Sequence, residues 1–279
     1  MEQTELLALL NADLSSLDLS LAPGIDAQLL AFLDKVLVVN ETMNLTSITD
    51  QAEAVHKHLV DSLSVLLLKT LMTQVQQSPQ WVDVGSGAGF PGMALALAVP
   101  SATVHLVEST GKKAHFLNTA SAELGLLKRV KVHNQRAEVM AQYQASGARA
   151  GKHVPRGTQS KPEAPITDSV PRGTAQNLRD SADGVFFRGV ARIASLVELG
   201  APFLKVGGLL VAYKGPKAGE ELVEATKAMK ELKMELAERR DFILPGVLEA
   251  RSVVCFRKIA ETPKRFPRLT GLAQKEPLV

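Results

Sequence analysis

The sequence contains a single cysteine, Cys255, among its 279 residues. An internal disulfide is therefore excluded, and one isolated thiol is typical of a protein in a reducing compartment. Long apolar runs are also missing, because stretches such as 65–68 and 94–99 are far shorter than the ~20 residues that span a bilayer. Glu2 and Glu5 stand where an export signal carries basic residues. These absences predict a cytoplasmic protein that does not enter a membrane.

Metal ligands at a useful spacing are missing as well. His56 and His58 are two residues apart in a predicted helix and so face different directions. No Gly-x-x-x-x-Gly-Lys-Ser/Thr run occurs, so a nucleoside triphosphatase of that type is not supported. We expect no metal cofactor.

The net charge of +3 conceals an asymmetry. Residues 1–80 carry 3 Lys and Arg against 10 Asp and Glu, a charge of −7, whereas residues 81–279 carry 29 against 19, a charge of +10. A basic region suits a polyanionic partner, because phosphate contacts release counterions. A solvated basic surface without such a role explains the composition equally well.

The first 80 residues are predicted to be helical. Leucines recur at helical spacing near the N-terminus and again between residues 29 and 37, on either side of the turn at Pro23-Gly24. A third helix is expected from about Gln51 to Leu71. We therefore expect an N-terminal helical extension over residues 1–80.

From residue 81 onward, strand and helix signals alternate, which predicts a parallel sheet covered on both faces. The last two strands are joined at Pro245-Gly246 without room for a crossover helix, so they should be antiparallel. Five parallel strands plus a closing antiparallel pair is the doubly wound, Rossmann-like α/β layout of class I methyltransferases. We expect this domain over residues 81–260 and a basic tail over residues 261–279. The expected strands are 81–84, 103–108, 129–133, 185–188, 209–214, 236–244 and 252–257, and the expected helices include 113–124, 193–204 and 220–232.

Residues 145–183 interrupt this alternation. The stretch is rich in Gly, Pro, Ser, Thr and Arg, has no periodic apolar face, and contains Val-Pro-Arg-Gly-Thr twice. Such a segment inside a domain predicts a disordered insertion. It is either tolerated without a role or binds RNA through its basic residues, Arg149, Lys152, Arg156, Lys161 and Arg172.

A glycine-rich turn, residues 83–92 with the sequence DVGSGAGFPG, follows the first strand and opens a helix. Glycines there let a ligand approach the backbone, and the helix start favours negative charge. Read from Gly87, the run satisfies the dinucleotide fingerprint. Read as Gly85, Gly87 and Gly89 after Asp83, it satisfies the methyltransferase one, which fits better, because an acid at the strand end suits an amino group and a sulfonium rather than a pyrophosphate.

Two further acids follow the neighbouring strands. Glu108 ends the second strand, where a carboxylate can accept hydrogen bonds from both hydroxyls of a ribose. After the third strand, Ala137 and Glu138 lie in a loop that can reach an adenine edge, although Glu138 is equally well explained as an acid favoured by a helix N-terminus. Both positions support an adenosine cofactor.

The end of the fourth strand and the position of the cysteine disfavour two classes of methyltransferase. The fourth strand ends Phe186-Phe187-Arg188-Gly189, without the Asn/Asp-Pro-Pro-aromatic run of amino-group methylases. Cys255 lies in a predicted strand and is interpreted as a buried core thiol, badly placed as a nucleophile. Guanine N7 fits these absences, because its lone pair is available at neutral pH and needs positioning rather than a general base.

Several segments resemble the bacterial small-subunit (16S) ribosomal RNA guanine-N7 methyltransferases, the glucose-inhibited division protein B family. The similarity runs from about residue 25 to the end, apart from the insertion, and Gly189 departs from it because alanine is more usual there. The matching segments are residues 44–46 (NLT), 57–62 (KHLVDS), 83–92, 111–113 (GKK), 116–117 (FL), 136–138 (RAE), 188–191 (RGVA), 214–215 (KG) and 263–268 (PKRFPR).

The resemblance implies a monomeric enzyme that uses S-adenosylmethionine to methylate guanine N7 in small-subunit ribosomal RNA or the 30S particle. No acid or base is assigned, but His58 and Asp61, which could form a local pair, and Arg188 are the candidate catalytic residues. Arg188 could also face the methionine carboxylate or form a plain ion pair. The proposed cofactor contacts are Asp83, Gly85, Gly87, Gly89, Phe90, Glu108, Ser109, Thr110, Ala137, Glu138 and Arg188. The phosphate-contact candidates are Lys112, Lys113, Lys214, Arg265 and Arg268.

Two alternatives stay open. The chain could methylate another RNA, a protein or a small molecule, against which the basic C-terminal region counts. It could also be a non-catalytic RNA-binding assembly factor, against which the intact glycine turn with Asp83 and Glu108 counts. Binding of S-adenosylmethionine separates the second alternative from both enzymes.

Overall fold

The computed structural model describes residues 1–75, 77–144, 177–189 and 191–279. Its centre is a seven-stranded sheet in the order β3-β2-β1-β4-β5-β7-β6. Strands β1 to β5 are parallel, and β7 runs antiparallel between β5 and β6. The predicted doubly wound α/β sheet with a closing antiparallel pair is confirmed. The strands are β1 (Gln80–Val84), β2 (Thr103–Val107), β3 (Val130–His133), β4 (Ala182–Arg188), β5 (Leu204–Lys214), β6 (Met234–Leu244) and β7 (Glu249–Lys258).

The sheet order reverses at β1, which pairs with β2 on one side and β4 on the other. Ligands of doubly wound sheets bind in the crevice at the carboxyl ends of strands beside such a switch point. The glycine turn follows β1, and Arg188 ends β4. The topology therefore brings these two predicted features to one edge, called here the catalytic edge.

Helices cover both faces of the sheet. Successive strand residues point to opposite faces, so Trp81 belongs to one core and Val82 to the other. The N-terminal helices and the two helices that follow β1 and β2 pack on the Trp81 face, through residues such as Phe32, Leu95 and Leu117, whereas the helices from residue 137 onward pack on the Val82 face. The helices are α1 (Gln3–Ser16), α2 (Ile25–Met43), α3 (Gln51–Ala54), α4 (Asp61–Leu63), α5 (Lys69–Val75), α6 (Gly92–Ala98), α7 (Gly111–Glu123), α8 (Ala137–Met140), α9 (Ile193–Gly200), α10 (Ala218–Glu224), α11 (Thr226–Leu232) and α12 (Leu272–Lys275).

The third predicted N-terminal helix, Gln51 to Leu71, is wrong as a single helix. After α3 the chain forms a π-helical turn over Val55–Val60, then α4 and a 3-10 turn over Ser64–Leu67, before α5 starts. The wider π turn lets His56 and His58 both be buried although they are only two residues apart. The predicted helix 220–232 is likewise two helices, α10 and α11, which both pack against α9.

The predicted insertion is shorter than expected at its C-terminal end. Leu178 is buried, and β4 already begins at Ala182. Residues 145–176, which hold the rest of that prediction, lie outside the described residues. Among the helices that the structure describes, none has the length and apolar character needed to cross a membrane.

Candidate active site

The glycine turn leaves open space above the end of β1. Gly85 has φ +75°, and a Cβ built on it would meet nothing within 4 Å. Gly87 has φ +55°, and a Cβ there would meet only the Gly85 carbonyl at 3.8 Å. A positive φ favours glycine, and no protein atom fills the space beside it. These two glycines therefore form the side-chain-free part of the turn.

Gly89 and Gly92 have a different role from the one predicted for the turn. A Cβ on Gly89 would lie 2.8 Å from Phe32 Cζ and 2.9 Å from Met93 Cγ, and a Cβ on Gly92 would lie 2.3 Å from Leu106 Cδ2. Both glycines permit close packing between the turn and the core. Gly89, expected to contact the cofactor, faces protein atoms instead.

Asp83 supports the turn from below. Its Oδ2 accepts a hydrogen bond from Gly92 N–H at 3.0 Å, and the residue is 1% exposed. Burial raises the pKa of Asp83 to about 7, opposed by that hydrogen bond. The carboxylate, expected to contact a ligand amino group, is instead enclosed by the turn that it holds.

Glu108, at the end of β2, ties the turn to the next strand. Its Oε2 accepts a hydrogen bond from Gly87 N–H at 2.9 Å, and its Oε1 accepts one from Thr110 N–H at 2.7 Å. Ser109 and Thr110 are exposed beside it. An ionised carboxylate offers about four lone-pair sites, so both oxygens keep capacity for a ligand.

The Glu138 carboxylate is engaged by the C-terminal segment. Its Oε1 accepts a hydrogen bond from Gly271 N–H at 2.8 Å, which attaches the C-terminal segment to α8. The neighbouring Ala137 is buried at the first position of that helix. The structure thus favours a structural role for Glu138 over the expected contact with an adenine.

Arg188 is the centre of a polar cluster at the catalytic edge. Its Nη1 donates to the carbonyl of Lys57 at 2.6 Å and to Asp61 Oδ2 at 3.1 Å, and its Nη2 donates to His58 Nδ1 at 3.2 Å. The predicted direct pair between His58 and Asp61 is replaced by two bonds to one guanidinium. The planar fork of arginine permits this because its donors point in several fixed directions.

Phe90 links the glycine turn to this cluster. Its ring is 5% exposed and stacks on the His58 ring with centroids 4.7 Å apart and an interplanar angle of 8°. The Arg188 guanidinium lies over the same ring, 5.7 Å from its centroid. The side chain of Phe90, expected to contact the cofactor, thus packs between the turn and the polar cluster.

The contacts of His58 fix its protonation state. Arginine only donates, so Nδ1 must accept from Arg188, and Nε2 carries the proton that it donates to Thr46 Oγ1 at 2.8 Å. Burial, followed by the charge of Arg188, lowers the pKa of His58 to about 3. His58 is therefore a neutral imidazole with both nitrogens engaged, and it positions Arg188 rather than moving a proton.

Asp61 follows the π-helical turn and lies between two arginines. Its Oδ2 pairs with Arg188, and its Oδ1 lies 3.5 Å from Arg251 Nε. Burial raises the pKa of the Asp61 carboxyl, and the two arginines oppose that shift. π-helical turns occur frequently at functional sites, which agrees with the position of this one at the catalytic edge.

A cleft of about 350 Å³ opens beside the cluster. Its volume lies at the lower end of the range for small-molecule sites, about 300–1,000 Å³. One wall comes from the N-terminal segment and the other from the ends of β4, β5 and β7. The lining residues are Ile48, Lys57, His58, Asp61, Arg188, Gly189, Tyr213, Lys214, Gly215 and Arg251.

The predicted phosphate contacts fall into two groups. Lys112 is exposed and Lys113 half-buried at the start of α7, and the Arg265 side chain is 65% exposed in an ion pair with Glu231. Lys214 is 11% exposed, with its Nζ 2.7 Å from Glu221.

Arg268 lies in the second group too, since it pairs at 2.6 Å with Glu198, a fully buried carboxylate. Lys214 and Arg268 are thus structural ion-pair residues, contrary to expectation.

Three contributors to the site were missed from the sequence. Thr46 Oγ1 accepts a hydrogen bond from His58 Nε2–H, Arg251 reaches Asp61 from β7, and Tyr213 donates to the carbonyl of Ser62 at 2.5 Å. Thr46 stands in a segment that carries the family resemblance, which was the available signal. No local pattern marks Arg251 or Tyr213. In the described part of the chain, no group of three or more His, Cys, Asp or Glu residues is placed to hold a metal ion.

Relatives of this chain share one name. The family model of GidB, rRNA small subunit methyltransferase G, matches residues 25–153 and 167–242. Ribosomal RNA small subunit methyltransferase G of Carboxydothermus hydrogenoformans is 35% identical over 239 residues, 86% of this chain and 86% of that protein. The protein of the same name from Pelotomaculum thermopropionicum is 39% identical over 239 residues, 86% of this chain and 84% of that protein.

The fold is also similar to that of a solved structure. A putative O-methyltransferase from Klebsiella pneumoniae superposes with a TM-score of 0.51 at 14% identity, over 92% of this chain and 99% of the other. At this identity the likeness concerns the fold alone. The family match confirms the predictions of a methyltransferase and of S-adenosylmethionine as its cofactor. The chain belongs to the rRNA small subunit methyltransferase G family.

Proposed function

We propose that this chain transfers the methyl group of S-adenosylmethionine to N7 of a guanosine in small-subunit ribosomal RNA. The observation that carries the proposal is the open turn at Gly85 and Gly87, joined through Phe90 to the cleft around Arg188. A nucleoside cofactor and a base then have adjacent places at one edge of the sheet. The names of the relatives support ribosomal RNA as the substrate.

The residues of the turn fit the cofactor. Gly85 and Gly87 leave room for it, and Glu108 keeps lone pairs that ribose hydroxyls can use. We retain three further expected cofactor contacts in the proposal: Ser109, Thr110 and Ala137. The other expected contacts have structural roles, because Asp83 and Glu138 bind backbone N–H groups and Gly89 packs against the core. When bound, S-adenosylmethionine supplies an electrophilic methyl group.

Methylation at guanine N7 agrees with how the titratable groups at the described site are held. Both nitrogens of His58 are engaged, Asp83 is enclosed, and Asp61 is paired with Arg188 through Oδ2. The N7 lone pair needs no deprotonation before it attacks, so this chain's residues have to orient the base and exclude water. No general base is required for this reaction.

Cysteine-dependent methylation of a pyrimidine is disfavoured by Cys255. The thiol is fully buried in β7, and burial raises its pKa to about 12. A thiol in that environment supplies almost no thiolate at neutral pH.

RNA contacts are proposed at the residues that remain accessible, Lys112, Lys113 and Arg265. We propose that residues 81–260 form the cofactor-binding unit, that residues 1–80 add one wall of the cleft through Lys57, His58 and Asp61, and that residues 261–279 contribute to RNA binding through Arg265. We also propose that the chain acts as a monomer on the 30S particle.

The test uses purified full-length chain, labelled S-adenosylmethionine, and small subunits from a strain that lacks the gene. We expect one N7-methylguanosine, mapped by reduction and aniline cleavage, which the Gly85→Val chain does not produce. Naked ribosomal RNA assayed in parallel decides between RNA and particle as substrate. Methylation of a different atom, or none, would contradict the proposal.

A further inference from the structure

Asp61 carries an oxygen without a hydrogen bond in a place where such atoms are rare. The residue is 7% exposed, its Oδ1 has almost no solvent contact, and no donor meets hydrogen-bond geometry with that atom. A buried acceptor left unpaired costs about 1–3 kcal/mol, so a ligand that donates a hydrogen bond to it recovers that cost. Asp61 lines the cleft beside Arg188.

Arg251, the charged residue paired with that oxygen, also has a second partner. Arg251 Nε lies 3.5 Å from Asp61 Oδ1, while its Nη2 lies 2.6 Å from Glu249 Oε2. Arg251 can therefore turn away from Asp61 and keep a carboxylate partner. Arg188 remains on Oδ2 meanwhile, and its positive charge favours the carboxylate form of Asp61.

We propose that Asp61 reads the target base, accepting on Oδ1 a hydrogen bond from the N1–H or the N2 amino group of guanine in the cleft. This inference rests on the function proposed above and makes Asp61 the residue that selects guanine. A carboxylate only accepts, so it rewards the donors of the guanine Watson–Crick edge and disfavours adenine, whose N1 is an acceptor there.

A guanine bound to Asp61 through its N1–H or N2 amino group can still be methylated at N7. N7 lies on the edge opposite to N1 and N2, so a base held by Asp61 keeps N7 free for methyl transfer. A protein group can reach the Watson–Crick edge only when the base is unpaired, and enzymes that modify bases commonly hold them out of the stack in a pocket. The target guanosine is therefore unpaired in the bound complex.

A purely structural Asp61 predicts a different result from a base-reading one. If the residue only holds Arg188, its removal slows methylation of every base analogue by the same factor. If Asp61 Oδ1 accepts a hydrogen bond from the base, removing Asp61 slows methylation of guanosine more than methylation of the analogues. An analogue that lacks the donor makes no such hydrogen bond and so loses nothing. The ratio of rates between substrates separates the two roles.

The experiment places guanosine, inosine or 2-aminopurine riboside at the mapped position of a ligated ribosomal RNA, reconstituted into particles where these are the substrate. Inosine lacks the N2 amino group, and 2-aminopurine riboside lacks N1–H. The full-length chain should prefer guanosine over at least one analogue, and Asp61→Ala should reduce that preference about 10- to 100-fold, the effect of one hydrogen bond to a charged group. Arg251→Ala, which breaks an ion pair of the same carboxylate but keeps Oδ1, should retain the preference.

Equal preferences in the unaltered chain and in Asp61→Ala would overturn the inference while the proposed function stands. If the unaltered chain methylates guanosine and both analogues at equal rates, the inference is also wrong. That measurement needs no variant, so it is valid even if Asp61→Ala fails to fold. If the unaltered chain leaves guanosine N7 unmethylated, the proposed function fails, and the inference fails with it.

Discussion

Arg188 Nη2 donates a hydrogen bond to His58 Nδ1 across 3.2 Å, although 130 residues separate the two in the chain. This contact decides the tautomer of the histidine and connects the end of β4 to the π-helical turn over Val55–Val60. Both partners also face the ring of Phe90. The glycine turn, the strand end and the N-terminal segment thus act as one unit at the catalytic edge.

Gly85→Val should abolish binding of S-adenosylmethionine and leave the chain folded. The new side chain would point into the open space of the turn, which the cofactor is proposed to occupy. Isothermal titration with S-adenosylmethionine measures the effect, and far-UV circular dichroism checks the fold.

Gly125→Val is the matched control for this substitution. Gly125 also has a positive φ, +69°, and open space at its Cβ, but it lies after α7, away from the turn. Both variants should lose about 1–3 kcal/mol of stability from backbone strain, whereas only Gly85→Val should lose the cofactor. Equal affinities in the two variants would contradict the assigned role of Gly85.

Arg188→Lys should greatly reduce methyl transfer although the charge is kept. A lysine cannot donate to the Lys57 carbonyl, Asp61 and His58 in the same directions, so the cluster loses at least one charge-assisted hydrogen bond, worth about 1.5–3 kcal/mol. Urea unfolding and single-turnover methylation measure the two losses. Arg192→Lys, in an ion pair whose arginine side chain is 64% exposed, should change stability by less than about 1 kcal/mol. Equal effects of the two substitutions would argue against the cluster.

The free energy of unfolding should decrease as the pH is lowered below about 6.5, and His58 should account for part of this decrease. The pKa of His58 is about 3 in the folded chain and near 6.5 when unfolded, so between these values the unfolded state binds one more proton. The stabilisation is complete above pH 6.5 and is lost as pH falls toward 3, at up to about 1.4 kcal/mol per pH unit.

The variant His58→Gln isolates this contribution. It keeps a side chain able to donate to Thr46 but cannot titrate, and it leaves His105, whose pKa burial lowers to about 4, unchanged. Urea unfolding at pH 7, 6 and 5 should therefore show a steeper loss for the unaltered chain. Parallel pH profiles would show that His58 is not held neutral in the folded state.

Arg268→Ala should destabilise the chain by about 3–5 kcal/mol, because it removes the guanidinium partner of the buried Glu198 and leaves only the backbone N–H of residue 268 bonded to it. Arg265→Ala, three residues away and exposed, should cost less than about 1 kcal/mol but weaken binding to the ribosomal substrate. Thermal unfolding and filter binding distinguish the two. The opposite pattern would restore Arg268 as a phosphate contact.

The strands and the glycine turn could be predicted because their signals are local. Local sequence patterns marked all seven strands, and Gly85 followed the first of them directly. Helix continuity was harder, since no local pattern distinguishes the π-helical turn from the α-helical spacing around it.

The roles of charged side chains could not be predicted in the same way. Glu138 and Arg268 carried motif signals for ligand contacts, but their partners, Gly271 and Glu198, lie 133 and 70 residues away. Asp83 had the correct position in the motif, and only three-dimensional packing shows that its carboxylate is enclosed by Gly92. Long-range partners decide whether a charge is available to a ligand.

The wall that residues 57–61 form against β7 has a consequence for biosynthesis. Lys57 pairs with Glu249 and Asp61 with Arg251, so the cleft joins parts of the chain almost 200 residues apart. Chains emerge from the ribosome N-terminus first, and contacts of this separation form late. A chain interrupted before the β6–β7 hairpin would already possess the glycine turn yet lack the second wall of its cleft, so the cleft is completed only near the end of synthesis.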